Sequence, residues 1–131
     1  MATIKDFEDL EIWQMARQLN KDVYPLLLVL QEGKNFELKG QLDGSAGSVM
    51  DNIAEGFERD GNREFIQFLS ISKASLGEVR SQLYRAFDRG FINEEGLTKL
   101  KADCKILADK TGKFITYLRN SDIKGRKFKN N

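Results

Sequence analysis

Three carboxylates near the middle of the chain have the residue type and spacing that acid–base chemistry or divalent metal binding requires. Asp51 and Glu55 are four residues apart, so in a helix they share one face, and Glu58 follows within the next turn. Di-metal sites in helical bundles also use histidine, and this chain has none. A second interpretation is that Glu55 forms an ion pair with Arg59 at the same four-residue spacing. We favour the ion pair, because such pairs are common on solvated helix faces.

Three further residues carry nucleophilic groups but lie at positions typical of a helical core. Cys104 belongs to an apolar series and has no histidine to activate it, so we expect it to be buried. Ser72 and Thr111 lie in similar series, where a hydroxyl can line a ligand pocket but more often bonds to a carbonyl of its own helix. The segment GSAGS lacks the lysine of a phosphate-binding loop. We therefore predict no catalytic residue, no metal site and no cofactor, and a small carboxylate enzyme is the least favoured class.

The C-terminus is a candidate contact for RNA or DNA. From Arg119 to Asn131 the sequence has five basic residues and one acid, a net charge of +4, whereas the whole chain carries +1, which leaves −3 for residues 1–118. Basic side chains bind phosphates, and an interleaved aromatic ring can stack on a base. The alternative is a solvated tail without a partner. The candidate nucleic-acid-binding residues are Lys124, Arg126, Lys127, Phe128 and Lys129.

Several aromatic residues lie partly outside the main apolar series and need burial elsewhere. One interpretation is a subunit interface, in which aromatic residues are enriched. The other is a wide core within one chain. The candidate interface residues are Trp13, Phe57, Phe68, Tyr84, Phe87 and Phe91.

The elements that position these residues are predicted from hydrophobic periodicity. From Phe65 to Ala86, and again from Leu97 to Leu118, apolar or small residues recur at alternating steps of three and four, which places each series on one helix face. No segment of comparable length alternates with period two, so strands are not expected. The predicted core positions are Ile12, Ala16, Leu19, Val23, Leu26 or Leu27, Leu30, Leu38, Leu42, Ala46, Val49, Ile53, Phe65, Leu69, Ser72, Leu76, Val79, Leu83, Ala86, Leu97, Leu100, Cys104, Leu107, Thr111, Phe114 and Leu118.

Four such helices joined by short loops predict an all-α fold, an antiparallel up-down-up-down four-helix bundle. The bundle is expected over residues 1–120 and a basic tail over residues 121–131. Antiparallel order places this tail beside the turn at Glu58 to Arg63. The first helix is predicted to begin near Asp6 to Asp9, and the other three to cover about 36–57, 62–88 and 93–120, with Asn93 as an N-cap.

Two features of the first half are unusual for helices. Pro25 interrupts the first helix, and we expect a kink there, because the apolar stripe keeps its phase on both sides. The second helix contains Gly40, Gly44 and Gly47, each of which costs roughly 1 kcal/mol relative to alanine. We expect these glycines to allow close backbone approach to a neighbouring helix or subunit, with local irregularity as the alternative.

The sequence predicts a soluble, cytoplasmic protein with no membrane partner. The longest apolar run, Tyr24 to Leu30, has seven residues, whereas a membrane helix needs about 20. The N-terminus has no apolar core of signal-peptide length. A single cysteine excludes an internal disulfide.

Several motifs in a fixed order resemble one protein family. They are Phe7–Gln14, Asn52–Phe57, Arg63–Leu69 and Ala74–Glu78. Over about residues 6–120 the chain is similar to the bacterial four-helix-bundle proteins called 23S rRNA intervening-sequence proteins. The resemblance implies a bundle that assembles into a ring-like homopentamer, and most members have no established biochemical activity.

A related branch comprises the accessory variability proteins of diversity-generating retroelements, which have a basic surface and associate with nucleic acid and a reverse transcriptase. This sequence departs from that pattern, because residues 35–60 contain two basic and six acidic residues. We therefore expect a non-enzymatic oligomeric scaffold or adaptor, with RNA or DNA contact through the basic tail. The alternative is a purely protein-binding module without nucleic-acid contact.

Overall fold

Four long helices account for most of residues 3–121, which the computed structural model describes. A short 3-10 turn over Phe7–Asp9 precedes α1 (Glu11–Glu32), and α2 is Phe36–Glu58, α3 is Asn62–Asp88 and α4 is Glu94–Asn120. Consecutive helices pack on each other, and α1 also packs on α4, so the four close into a bundle. The predicted all-α fold class is confirmed.

Two polar contacts between distant parts of the chain fix the antiparallel order. Asn62 Nδ2 at the start of α3 donates to the Leu118 carbonyl at the end of α4 over 3.2 Å. Lys99 near the start of α4 pairs with Asp22 in the C-terminal half of α1 at 3.2 Å. The helices therefore run up-down-up-down, and the end of α4 lies beside the turn between α2 and α3, as predicted.

The first helix begins later than the predicted start between Asp6 and Asp9. The Asp9 carboxylate accepts hydrogen bonds from the backbone N–H groups of Lys5 and Asp6, both at 3.0 Å. These bonds close the 3-10 turn and lower the pKa of Asp9. Leu10 then has an extended backbone, so α1 begins only at Glu11.

Local chemistry sets the other helix boundaries. The side chains of Asn35 and Asn93 cap α2 and α4 by accepting from the N–H groups three residues on. Gly61 and Gly90 have φ values of 87° and 81°, which favour glycine, and they bracket α3. α1 is continuous through Pro25, which lies on its exposed side.

The predicted core positions are buried with one exception. Phe114 is half-buried, and Ile115 takes the fully buried position in the last turns of α4. The Phe114 ring instead lies edge-on to Phe65, with centroids 5.6 Å apart, and stacks on Tyr117 at 5.9 Å. The three-and-four spacing permits either residue, since both fall within one turn of the stripe.

The most extensive helix contact joins α2 and α3 and is lined by small polar residues. Ser72 Oγ donates to the Val49 carbonyl across this contact over 2.7 Å. The hydroxyls of Ser48 and Ser75 share a hydrogen bond of 2.9 Å. Small side chains let the two backbones come close, and their hydroxyls pair with each other or with the backbone, which avoids unsatisfied buried groups.

Close backbone approach occurs at Gly56 and not at the glycines for which it was expected. A Cβ on Gly56 would lie 2.7 Å from the Cβ of Phe68 on α3. A Cβ on Gly40 or Gly44 would meet nothing within 4 Å, and one on Gly47 would meet only a carboxylate oxygen at 4.0 Å. Within one chain the explanation by helix packing is therefore wrong for Gly40, Gly44 and Gly47, because no neighbouring helix comes within 4 Å of a Cβ at these positions. Gly40 and Gly44 instead line an open groove that Glu78 and Arg85 of α3 also line.

Replacing Gly56→Ala should lower the free energy of unfolding by about 1–3 kcal/mol, because the added methyl overlaps α3. The matched control is Gly77→Ala in α3, where a Cβ meets nothing within 4 Å. That change should raise stability by about 0.5–1 kcal/mol through helix propensity. Urea unfolding measures both, and equal effects of the two substitutions would contradict the close approach at Gly56.

Candidate interaction surfaces

The three candidate carboxylates of α2 do not converge on a metal site, and Glu55 forms an ion pair instead. Glu55 Oε2 accepts from Arg59 Nε over 2.9 Å, so the ion-pair interpretation is confirmed. Arg59 also approaches Glu64 at 3.6 Å and lies over the Phe68 ring, 5.0 Å from its centroid. Within residues 3–121, no group of three or more metal-ligating side chains could hold a metal ion. These groups are about half exposed, so each pair contributes at most about 1 kcal/mol.

The three candidate nucleophiles lie in the core. Cys104 is fully buried, and burial raises the pKa of its thiol to about 12. Thr111 Oγ1 donates to the Leu107 carbonyl of its own helix over 2.8 Å, as expected. Ser72 does not follow that pattern, because its hydroxyl donates across to α2 at Val49. All three residues therefore have structural roles in the bundle.

Phe57 does not belong to the proposed aromatic interface. Its side chain is 1% exposed, and its ring lies edge-on to Phe65 with centroids 5.9 Å apart. The interpretation of Phe57 as an interface residue is corrected, since its side chain is already buried within the chain against Phe65 of α3. The wider-core alternative is right for this residue.

The other five aromatic residues are spread over both ends of the bundle. Trp13 at the start of α1 lies edge-on to Phe7, and Phe68 near the start of α3 lies under Arg59. At the opposite end, Phe91 lies over Gly33, and Phe87 packs on the core. Tyr84 is the most exposed of the set, at 42%. These residues do not form one continuous surface.

The candidate nucleic-acid-binding residues Lys124, Arg126, Lys127, Phe128 and Lys129 lie outside the described residues. Their point of attachment is described, because α4 ends at Asn120, beside the start of α3. Arg119 in the last turn of α4 is exposed there.

Charge is segregated between the two halves of the bundle. Residues 1–60 contain six basic and twelve acidic residues, a net charge of −6. Residues 61–121 contain eleven basic and seven acidic residues, a net charge of +4. The net charge of residues 1–118 taken together does not reveal this difference, because the opposite charges of the two halves largely cancel. The α1–α2 half is thus acidic and the α3–α4 half is basic.

An exposed apolar surface on α1 and α2 was not anticipated from the sequence. Asn20 Nδ2 donates to the Ala46 carbonyl, so this side of α1 faces α2, and Tyr24 and Leu28 follow at the next turns. Tyr24, Leu28 and Phe36 are 57%, 48% and 56% exposed. We call the following residues the glycine face: Tyr24, Leu28, Phe36, Gly40, Gly44 and Gly47.

The sequence carries one indication of this surface: Tyr24 and Leu28 are both large and apolar, and both lie outside the apolar stripe of α1. Four-residue spacing puts both side chains on one helix face that the predicted core does not cover.

Among residues 3–121, no helix combines the length and the apolar character needed to cross a membrane.

Comparison with known proteins places this bundle in a family. The family described as 23S rRNA-intervening sequence protein matches residues 8–113, and the chain belongs to it. A crystal structure of a protein of unknown function from the S23 ribosomal protein family, from Bacteroides thetaiotaomicron, has the same fold with a TM-score of 0.75. That match has 20% sequence identity and covers 79% of this chain and 97% of the other. No curated protein matches the sequence.

Cys104 should resist alkylation at neutral pH while the protein is folded, because it is buried and its pKa is about 12. The raised pKa also has a consequence for stability. In the unfolded chain the thiol has its ordinary pKa of 9.0, so the contribution of Cys104 to stability is full below pH 9 and declines as the pH rises toward 12. Labelling with and without urea measures the first effect, and rapid labelling of the folded protein would contradict the burial.

Proposed function

We propose that the protein is a non-enzymatic, oligomeric helical scaffold or adaptor that acts in the cytoplasm. The observation that carries this proposal is the glycine face, which has an unusual composition for a solvated helix surface. Three helical glycines that meet no neighbour in their own chain cost roughly 1 kcal/mol each relative to alanine. A second molecule packed against the bare backbone would offset that cost.

A second copy of the chain is the proposed occupant of the glycine face. Phe36 lies one turn before Gly40 on α2, and Tyr24 and Leu28 lie on the side of α1 that faces α2; all three supply apolar area that one chain leaves in water. Helices without side chains at the contact can approach closely, and aromatic residues are enriched in interfaces. The pentamer implied by the family resemblance fits a contact of this kind, because a ring needs an interface that joins two different surfaces.

Contact with RNA or DNA through the basic C-terminal tail is the second part of the proposal. Residues 122–131 contain four basic residues and one acid, and they follow directly from the exposed Arg119. Several tails on one assembly would add their phosphate contacts and increase the overall affinity. The competing function is a purely protein-binding module. The glycine face supports that function without any contact to nucleic acid.

Placing a large side chain on the glycine face should dissociate the assembly. Gly44→Leu has room within its own chain and gains helix propensity, so the fold should remain stable. The control is Gly77→Leu in α3, which is equally open. Sedimentation velocity should show a smaller species only for Gly44→Leu, and identical assembly of both variants would refute the glycine face as the interface.

Neutralising the tail should reduce the salt dependence of RNA binding. The probe is a duplex of about 20 base pairs, followed by fluorescence anisotropy over a salt series. Each phosphate contact contributes about 0.9 to the slope of log K against log salt, so four lost contacts per chain should lower the slope by about 3–4. The variant replaces Lys124, Arg126, Lys127 and Lys129 by Gln in the full chain.

The matched control removes four positive charges from the acidic half of the bundle. Its binding and salt slope should equal those of the unmodified chain. If the unmodified chain does not bind at low salt, nucleic-acid contact is excluded, and the protein-binding module becomes the function to pursue. The control residues are Arg17, Lys21, Lys34 and Lys39, each replaced by Gln.

A further inference from the structure

A line of cations follows the contact between α3 and α4 on the outside of the bundle. Lys101 and Arg119 mark its ends on α4 and are 18 residues apart, so the line is about 27 Å long. The Lys73 side chain crosses to Gly112 on α4, since its Cε would lie 3.5 Å from a Cβ there. We call the following residues the cationic face: Lys73, Arg80, Lys101, Lys105 and Arg119.

These cations lack acidic partners in the described part of the chain. None of the five forms an ion pair with a carboxylate of residues 3–121. The acids of the same helix segments are directed elsewhere. Asp103 pairs with Lys99 at 2.7 Å and Asp109 with Lys113 at 3.1 Å, while Glu78 lies along the groove between α2 and α3.

The positive charges act on one another at short range. Lys101 Nζ donates to Tyr84 Oη over 2.8 Å, and this hydrogen bond is the main reason that the pKa of Tyr84 is lowered. The charges of Arg80 and Lys105 lower the same pKa further, so they lie near the same hydroxyl. Arg80 Nε is enclosed by protein and has no hydrogen-bond partner in residues 3–121. Concentrated like charge is unfavourable in the free protein, and a polyanion would relieve it.

A cleft at one end of the line has the composition of an anion site. Lys73, Arg119 and the Ser70 hydroxyl line it, together with Ala74, Gly112 and the apolar Ile115. Its volume is about 420 Å³. An ammonium, a guanidinium and a hydroxyl are all donors, and together they suit a phosphate group.

We propose that the cationic face binds the phosphodiester backbone of a nucleic-acid duplex. This inference rests on the proposed association with RNA or DNA and adds a folded site to it. Arg119 lies in the last turn of α4 and ends the line of cations. The acidic α1–α2 half would then face away from the nucleic acid.

The length of the line fits the backbone of a duplex. Each strand of a duplex carries a phosphate about every 3.4 Å along the axis, so several phosphates fall within a line of about 27 Å. This contact needs no side chain that recognises bases, since phosphate contacts position a protein on a duplex without reading its sequence.

The experiment measures the affinity of the full chain for a duplex RNA of about 20 base pairs, and for DNA of the same length, over a salt series. The test variant combines Lys73→Gln, Lys105→Gln and Arg119→Gln. It leaves out Arg80 and Lys101, which are partly enclosed or bonded. Loss of three phosphate contacts should weaken binding at least about tenfold at intermediate salt and lower the salt slope by about 2–3.

The matched control removes three positive charges from other sides of the same helix. Lys99, Lys110 and Lys113 already pair with carboxylates, and replacing each by Gln should change duplex affinity less than about twofold. Thermal unfolding and light scattering on both triple variants report whether fold and assembly are kept. A similar response of RNA and DNA is expected, because both present the same backbone chemistry.

The outcomes separate this inference from the proposed tail contact. If only the tail-neutralised variant loses affinity, the cationic face is not a binding site and the tail proposal stands. If only the cationic-face variant loses affinity, the face is supported and the tail contact fails. If the cationic-face variant dissociates the assembly instead, the face joins two copies of the chain, and the inference is overturned. If the unmodified chain binds neither duplex, both proposals fail.

Discussion

The tight packing of α2 against α3 is the contact on which the rest of the bundle depends. Gly56 brings the two backbones together, and the hydroxyls of Ser48, Ser72 and Ser75 make hydrogen bonds inside the contact. Phe57 and Phe65 extend this region as an aromatic pair, and Phe114 of α4 packs on it from the other side. Because the hydroxyls of Ser48, Ser72 and Ser75 are paired here, the contact is specific as well as apolar.

Because contacts in the core hold the helices together, the outer surfaces of the bundle are available to bind partners. The two halves of the chain differ in the surface that they present. The α1–α2 half presents an acidic surface with the open glycine face. The α3–α4 half presents a line of cations that form no ion pair within residues 3–121. Both features are costly in an isolated monomer, one through helix propensity and the other through like-charge repulsion. A partner on each surface would account for both costs.

Hydrophobic spacing predicted the four helices and nearly all of the core, because burial of one helix face is a local property of the sequence. It did not predict which neighbour each residue meets. Gly56 and Gly40 look alike in sequence, yet only Gly56 lies against another helix. Ser72 was expected to bond within α3 and bonds to α2, and Phe57 was assigned to a surface and lies in the core. The cationic face was missed because net charge was counted along the chain, whereas antiparallel packing brings Lys73 beside Gly112.

The central claim is that the exposed glycine face exists for assembly with further copies of the chain. The most direct test is the mass of the unmodified protein in solution, measured by light scattering between about 1 and 100 µM. The account predicts a defined multiple of the 15.0 kDa chain, about 75 kDa for the pentamer that the family resemblance implies. A 15.0 kDa monomer over the whole range would contradict it.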